Sequence, residues 1–247
     1  MFVKQKGVYP LNPSLKFRHE LKYHMNYHQY HIIRQQLINM LQRDKHAQAA
    51  GEYHIRSLYF DDIDNKALHE KLGGVRDREK YRIRIYNLSD RVIHLEKKIK
   101  FNDYIAKVKE LLTREMVDSI LAGRYEVLNV PERPLLFEVY REMKNRLLRP
   151  KVIVDYVREA YVSRVGNVRI TFDKRLRTGL NAIDIFAPDL KTIDAYDNNA
   201  IVFEVKYDEF LPEYIRTAIQ AEGLMRQSNS KYVICRKYLK FNTWEDQ

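Results

Sequence analysis

Arg78, Lys80, Arg82 and Arg84 stand at alternate positions of the stretch 78–86, with Tyr81, Ile83 and Ile85 between them. A β-strand sends successive side chains to opposite faces, so one face here is apolar and the other is a row of fixed positive charge. Guanidinium groups grip phosphate at two points and ammonium groups act as point charges, so such a row suits an anion. The pattern recurs. Lys16, Arg18, Glu20 and Lys22 share a face early in the chain, Glu96, Lys98 and Lys100 share another, and Lys107 and Lys109 follow. Further on, Arg158 falls on the side of Val154 and Tyr156. Arg169 alternates with Ile170, and Glu204 and Lys206 with Phe203 and Val205.

One wet, charged face is ordinary for an antiparallel sheet. Seven such strands, three of them carrying Glu-x-Lys, ask for more. If the sheet closes into a barrel, one face lies inside, where each unpaired cation costs several kcal/mol. A polyanion or a metal–phosphate complex filling the interior would balance that charge, and Glu can hold a divalent cation.

The elements that must position these residues follow from periodicity. Alternation over 14–25 predicts a strand. Tyr30, Ile33, Leu37, Met40 and Leu41 predict a helix after it, with Asn26 as N-cap. Residues 53–61 read as a strand and 64–72 as a short helix stopped by Gly73-Gly74. Strands are expected over 78–87, 91–101 and 104–113. A short helix over 114–122 then ends at Gly123, and a longer one over about 134–148 places Leu136, Tyr140, Met143 and Leu147 on one face. Strand signals return at 151–163, 168–173, 175–180 and 200–207. Helical pattern resumes over about 212–226, and 230–238 fits either state. The fold class expected is α+β, an antiparallel β-sheet or barrel with peripheral helices in one domain over 1–247.

With 45% hydrophobic and 31% charged residues, 8 Gly and 7 Pro, the composition is that of a globular chain and not a disordered one. The net charge of +11 calls for an anionic partner: nucleic acid, nucleotide, polyphosphate or an acidic membrane surface. Cys235 stands alone, which excludes an internal disulfide and a multi-cysteine metal site and points to a reducing compartment. The opening "MFVKQKGVYP" lacks a signal-peptide core, and no stretch approaches the roughly 20 apolar residues of a membrane span. A cytoplasmic protein is expected, reaching a membrane only through a membrane-protein partner.

"FRHELKY", "YRIRIY", "HLEKK", "YVREAY", "VRITFD", "FEVKY" and "SKY", in this order over about 14–240, resemble the VTC-type polyphosphate polymerase domain. That family belongs to the triphosphate tunnel metalloenzymes and is related to CYTH proteins. The resemblance implies an antiparallel β-barrel tunnel in which the γ-phosphate of ATP passes to a growing polyphosphate chain with Mn²⁺ or Mg²⁺. Carried over by motif, Arg82, Arg84, Arg158, Arg169 and Lys98 are the expected catalytic cations. Lys22, Lys107, Lys109, Lys206, Ser230 and Lys231 are expected to bind phosphate, and Glu204, Glu96 and Glu20 the metal. The CYTH pattern opens with Glu-x-Glu-x-Lys, whereas this chain reads Arg18-His19-Glu20-Leu21-Lys22, which favours the VTC branch over a two-metal triphosphatase. The length leaves no room for the SPX sensor and membrane helices of eukaryotic relatives, so the resemblance is to the standalone prokaryotic type.

Phosphoryl transfer needs positioning and charge neutralisation more than covalent help, so the lack of a P-loop or nucleophile motif is no obstacle. Two other readings use the same residues: a metal-dependent triphosphatase or nucleoside triphosphate hydrolase, and a non-catalytic polyphosphate-binding accessory protein. A nucleic-acid binder is not expected, because its cations would lie on an outer groove with exposed aromatic faces. His19, His24, His28 and His31 are expected to be surface or packing residues and not a metal site. Cys235 reads as a small buried hydrophobe, Trp244 as a C-terminal packing anchor, and Lys4 and Lys6 as solvated. Asp61-Asp62 reads as a turn or helix cap.

Overall fold

The computed structural model describes residues 16–102, 104–196, 200–228 and 230–241, with side chains through 237. Lys4, Lys6 and Trp244 lie outside the described residues. Among the described residues, ten strands run in chain order: β1 (Arg18–Met25), β2 (Gln42–Arg43), β3 (Glu52–Asp61), β4 (Arg78–Tyr86), β5 (Ser89–Phe101), β6 (Tyr104–Leu112), β7 (Arg149–Ser163), β8 (Val168–Thr178), β9 (Ile193–Asp194) and β10 (Ile201–Tyr207). Every pairing is antiparallel. Eight strands form the sequence β7-β3-β4-β5-β6-β1-β10-β8, and β8 pairs back onto β7, so the sheet closes on itself as a barrel. The two-residue β2 and β9 add to β7 and β8.

Among the described residues, six α-helices surround or enter the barrel: α1 (Tyr27–Met40), α2 (Lys66–Leu72), α3 (Arg114–Leu121), α4 (Pro134–Asn145), α5 (Glu213–Ala218) and α6 (Lys231–Phe241). The alternation of each strand decides where they pack. Ile83, Ile85, Ile93 and Leu95 point outward from β4 and β5 onto Val117, Ile120, Leu136, Val139 and Met143 of α3 and α4. On the other flank, Ile170, Phe172, Phe203 and Val205 meet Ile33 and Leu37 of α1 and Ile215 of α5. Two oily outer surfaces are thereby covered, and the polar positions of the same strands are left facing inward. A third cluster brings Tyr232, Val233 and Cys235 of α6 against Ile55, Val154, Tyr156 and Leu176, so α6 fills the β3–β7–β8 side of one barrel end.

Asn26 caps α1 in a reciprocal box with Gln29, as its position predicts. The Asp61-Asp62 pair caps α2. Asp61 accepts from the amides of Ala67 and Leu68 at 2.9 and 3.1 Å, and Asp62 accepts from Lys66 at 2.8 Å. The Tyr232 hydroxyl also donates to buried Asp61, which ties α6 to the start of α2.

Four expectations need correction. The runs 168–173 and 175–180 form one strand, β8; Arg175 sits at φ 52° and the register with β7 shifts between Asp155 and Val157. Such a bulge reverses the inside–outside phase, which makes one strand read as two. The helix expected over 212–226 stops at Ala218, and the chain continues beside β1, where Arg226 bridges Tyr23 and Gly223 turns at φ 70°. The helix α4 ends at Asn145, leaving Leu147 at φ 53° and 43% exposed instead of in the core. Met40 likewise ends α1 exposed, although Leu41 beyond it is buried. The undecided stretch 230–238 is helical. No helix among the described residues is long and apolar enough to cross a membrane.

The Asp61 cap yields a first expected outcome. Asp61→Ala strands two helix amides and the Tyr232 hydroxyl, and should lower stability by about 2 kcal/mol. Urea unfolding checks this; a midpoint unchanged from wild type would remove the cap from the account.

Candidate functional site

Cross-strand register arranges the inward charges in rows. Arg78 faces Lys100, Lys80 faces Lys98, Arg82 faces Glu96 and Arg84 faces His94 across β4 and β5. The next strand extends two of these rows, with Lys107 opposite Lys98 and Lys109 opposite Glu96. Three lysines thus stand side by side on three adjacent strands, a placement that is destabilising unless something negative lies over it. Across the bore, Glu20 faces Lys206 and Lys22 faces Glu204 on β1 and β10.

Two ion-pair networks result. In the first, Glu20 and Glu204 share two ammonium groups: Lys22 lies 3.5 and 2.9 Å from them, and Lys206 3.2 and 2.9 Å. Lys98 adds a contact to Glu20 at 3.1 Å and Lys231 one to Glu204 at 3.0 Å. Lys231, the first residue of α6, also reaches Asp173 at 2.6 Å, where Arg158 makes a two-point contact at 2.6 and 2.7 Å. In the second network, Glu96 accepts from Arg82 at 2.7 Å and from Lys107 at 2.8 Å.

Tyrosine hydroxyls hold the arginines in place. Arg82 donates to Tyr59 at 2.7 Å, Arg84 to Tyr156 at 3.1 Å and Arg169 to Tyr53 at 2.8 Å. Arg84 is only 5% exposed, and its partners are hydroxyls, Ser57 at 3.0 Å and Tyr156; among the described residues it forms no ion pair. Arg169 is also paired to Asp44 at 2.7 Å, at the rim.

All fourteen residues expected at the site line a single cavity of about 1110 Å³ inside the barrel. Lys107 and Lys109 are exposed at its edge, whereas Arg84, Arg158, Glu96, Glu204 and Lys231 are buried. Sequence reasoning missed the tyrosines Tyr53, Tyr59 and Tyr156, as well as Lys71, Arg226 and Ser228, which join the lining from α2 and the chain before α6. Tyr53 and Tyr59 share the inward parity of Ser57 on β3, the one signal that could have found them. Lys71 and Arg226 carry no such signal, because their places depend on the packing of distant segments.

The electrostatics follow from this crowding. Burial would raise the Glu204 carboxyl, but Lys206, Lys22, Lys231 and Arg158 hold it well below the usual range. Glu20 is lowered in the same way, with Lys22, Lys98 and Lys206 outweighing burial. Lys98 moves oppositely: burial, aided by Lys22 and Lys206 and opposed by Glu20, pushes it down to about 7. Burial with Arg78, Lys98 and Lys71 nearby also brings Lys80 to about 7.

The donor set bears on a metal. Mg²⁺ or Mn²⁺ at a phosphate site takes one or two protein carboxylates and completes its shell with water and phosphate oxygens. Glu20 and Glu204, on adjacent strands and within reach of the same two lysines, fit such a cation once phosphate draws those lysines away. Glu96 does not join them. Its carboxylate is held by Arg82 and Lys107, and the described residues contain no group of three or more His, Cys, Asp or Glu able to hold a metal ion. Of the three glutamates expected at a metal, Glu20 and Glu204 stand together in one network and Glu96 in the other.

The histidines are packing and surface groups, as expected. His19 stacks on Tyr207 at 5.0 Å and His24 hydrogen-bonds Tyr196 at 3.1 Å, while His28 and His31 are exposed. Buried Cys235 packs as a small hydrophobe, and burial pushes its thiol up to about 12, away from the reactive thiolate.

An anion favours protonated lysine, so binding must draw protons onto Lys80 and Lys98 above pH 7. Affinity for inorganic tripolyphosphate without metal should fall at least about tenfold between pH 7 and pH 9. Calorimetric titration checks the slope, and a flat profile would contradict it.

The family model of the VTC domain matches residues 17–240. Among solved structures, a Hippeastrum protein carrying the name adenylyl cyclase, and described as having a dominant triphosphatase activity, superposes with a TM-score of 0.54 at 14% identity. The match covers 90% of this chain and 96% of that one. A Vibrio parahaemolyticus protein, also named for adenylate cyclase, gives a TM-score of 0.49 at 11% identity over 90% of this chain and 98% of its own. No curated protein matches in sequence. The Hippeastrum likeness is one of fold, a closed antiparallel barrel. Because the family match spans nearly the whole of that barrel, the chain belongs to the VTC-domain family.

Proposed function

We propose that the chain is a polyphosphate polymerase that moves the γ-phosphoryl group of ATP onto the end of an inorganic polyphosphate chain. The observation that carries this reading is Arg84, a guanidinium buried in the barrel wall whose hydrogen bonds go to hydroxyls, while nearby Glu96 is bonded to Arg82 and Lys107. Glu96 is shared among three cations, and a phosphate chain along the bore would give Arg84 a counter-charge in direct contact.

In the transfer, an oxygen of the acceptor's terminal phosphate bonds to the γ-phosphorus as the bond to the β,γ-bridging oxygen breaks, and ADP leaves. Charge spreads over the three non-bridging γ-oxygens while this happens. Arg82 and Arg84 come from β4 and Arg158 from β7, on either side of β3, so together they fix those oxygens in line. The tyrosines behind Arg82 and Arg84 keep the forks aimed without neutralising them. Lys22, Lys206 and Lys231 are already gathered and desolvated. They exchange carboxylate partners for phosphate oxygens, so little reorganisation is left for the reacting complex. Glu20 and Glu204, released by that exchange, would hold Mg²⁺ or Mn²⁺, which would supply charge neutralisation to the phosphate oxygens. No side chain needs to act as nucleophile.

The same cations with water as acceptor would hydrolyse triphosphate, and without turnover they would make a polyphosphate-binding accessory protein. Incubation with γ-labelled ATP and Mn²⁺, resolved on a gel, separates the three. A ladder of labelled chains is expected. Orthophosphate alone would overturn the polymerase in favour of the hydrolase, and no product with retained binding would leave the accessory protein.

Two variants test the roles. Glu204→Gln keeps shape but removes the charge, so turnover should fall by about a hundredfold or more while tripolyphosphate still binds. Full turnover would remove Glu204 from the metal. Arg84→Ala should weaken tripolyphosphate binding by about ten- to a hundredfold; unchanged affinity would take the anion out of the bore.

A further inference from the structure

The cavity is not uniform in its chemistry. The four carboxylates of the two networks, Glu20, Glu96, Asp173 and Glu204, serve cations of β1, β4, β5, β6, β7, β10 and α6. None of them pairs with the cations at the start of β4. There Arg78 donates to the carbonyl of Val75, and Lys80 donates to the hydroxyl of Ser230 at 3.3 Å. The Lys80 ammonium stands 4.7 Å over the Tyr232 ring. Lys71 reaches the same place from the last turn of α2 and donates to the hydroxyl of Ser228. Among the described residues, Lys71, Arg78 and Lys80 form no ion pair with a carboxylate. Like charge meets like charge across the strands, with Lys80 opposite Lys98 and Arg78 opposite Lys100.

Neutral partners do not balance three half-buried cations. Burial lowers all three, with Arg78, Lys100 and Lys22 adding to it at Lys71 and Glu70 opposing it at Arg78, and Lys80 is the most affected of the three. A metal–nucleotide complex brings its own cation and needs carboxylates beside it; here Asp61 is spent on capping α2, and Glu70 acts on Arg78 without pairing with it. A bare phosphate chain is the opposite case. It brings dense negative charge, it needs ammonium and guanidinium groups, and the Ser228 and Ser230 hydroxyls can turn to donate to its oxygens.

We propose that Lys71, Arg78 and Lys80, with Ser228 and Ser230, form a separate anion subsite that takes the end of a metal-free inorganic polyphosphate chain and not the nucleotide. The acceptor chain then enters the bore from the side of α2 and the start of α6. Naming the anion as polyphosphate rests on the polymerase reading, whereas the separation of the two chemistries does not.

The test is calorimetric titration of short-chain inorganic polyphosphate into protein in EDTA at pH 7, run beside the γ-labelled ATP assay. The double variant Lys71→Ala/Lys80→Ala should bind the chain at least about tenfold more weakly than wild type. Affinity within twofold of wild type would overturn the subsite, even if wild type elongates chains and the polymerase reading stands. A tenfold loss in the variant with no chain growth by wild type would uphold the subsite while the polymerase reading fails. Lys71→Glu alone, on the half-buried flank of α2, guards against misfolding of the double variant. It should weaken binding more than Lys71→Ala does, and equal affinities would also overturn the proposal.

Discussion

Positive charge enclosed by a closed sheet is the constraint on which the rest of this structure depends. The two ion-pair networks set Lys22, Lys98, Lys206, Lys231 and Arg158 against three carboxylates, and Arg82 and Lys107 against Glu96, with Arg84 left over. Inside a barrel these groups cannot turn away to bulk water as they would on an open sheet. Each carboxylate is consequently shared, and each sharing positions two strands against each other. Glu204 alone joins β1, β10 and α6. The interior is a set of hydrogen-bonded cations held apart at fixed spacing, which is how a rigid host for a polyanion has to be built.

That arrangement is possible because the apolar work is done elsewhere. α3 and α4 cover one outer flank and α1 and α5 the other, so stability comes from burying the outward positions of the strands. The inward positions are then free to carry charge. α6 has both jobs: Val233 and Cys235 pack against apolar inward residues, while Lys231, one turn earlier, places its ammonium between Asp173 and Glu204. Removing α6 would open the bore and also take away a cation that balances two of its acids.

Much of this was legible in the sequence because a strand's period of two exposes which positions share a face. Arg82 and Arg84 on β4, Glu96 and Lys98 on β5, and Glu204 and Lys206 on β10 all fall where alternation puts them, and closure of the sheet turns a shared face into a shared interior. What was hidden has physical reasons. The bulge at Lys174-Arg175 breaks the period and splits one strand into two readings. Tyr53, Tyr59 and Tyr156 look like core aromatics, since only the guanidinium facing each hydroxyl reveals its use. Lys71 and Ser228 meet although 157 residues separate them, and no local pattern reports that contact. The glutamates share a residue type and an inward face, yet only the register tells Glu96, tied to Arg82, from the pair Glu20 and Glu204.

The central claim is that the barrel interior is completed by a phosphate polyanion, and thermal unfolding with added tripolyphosphate tests it most directly. A ligand at a hundred times its dissociation constant stabilises a protein by about 2.7 kcal/mol. Tripolyphosphate in EDTA should therefore raise the melting temperature by several degrees, on the order of two to four per kcal/mol for a chain of this size. Sodium chloride at matched ionic strength should not. A melting temperature that responds equally to both salts, or to neither, would mean that the enclosed cations are balanced without a bound anion, and the account would fail.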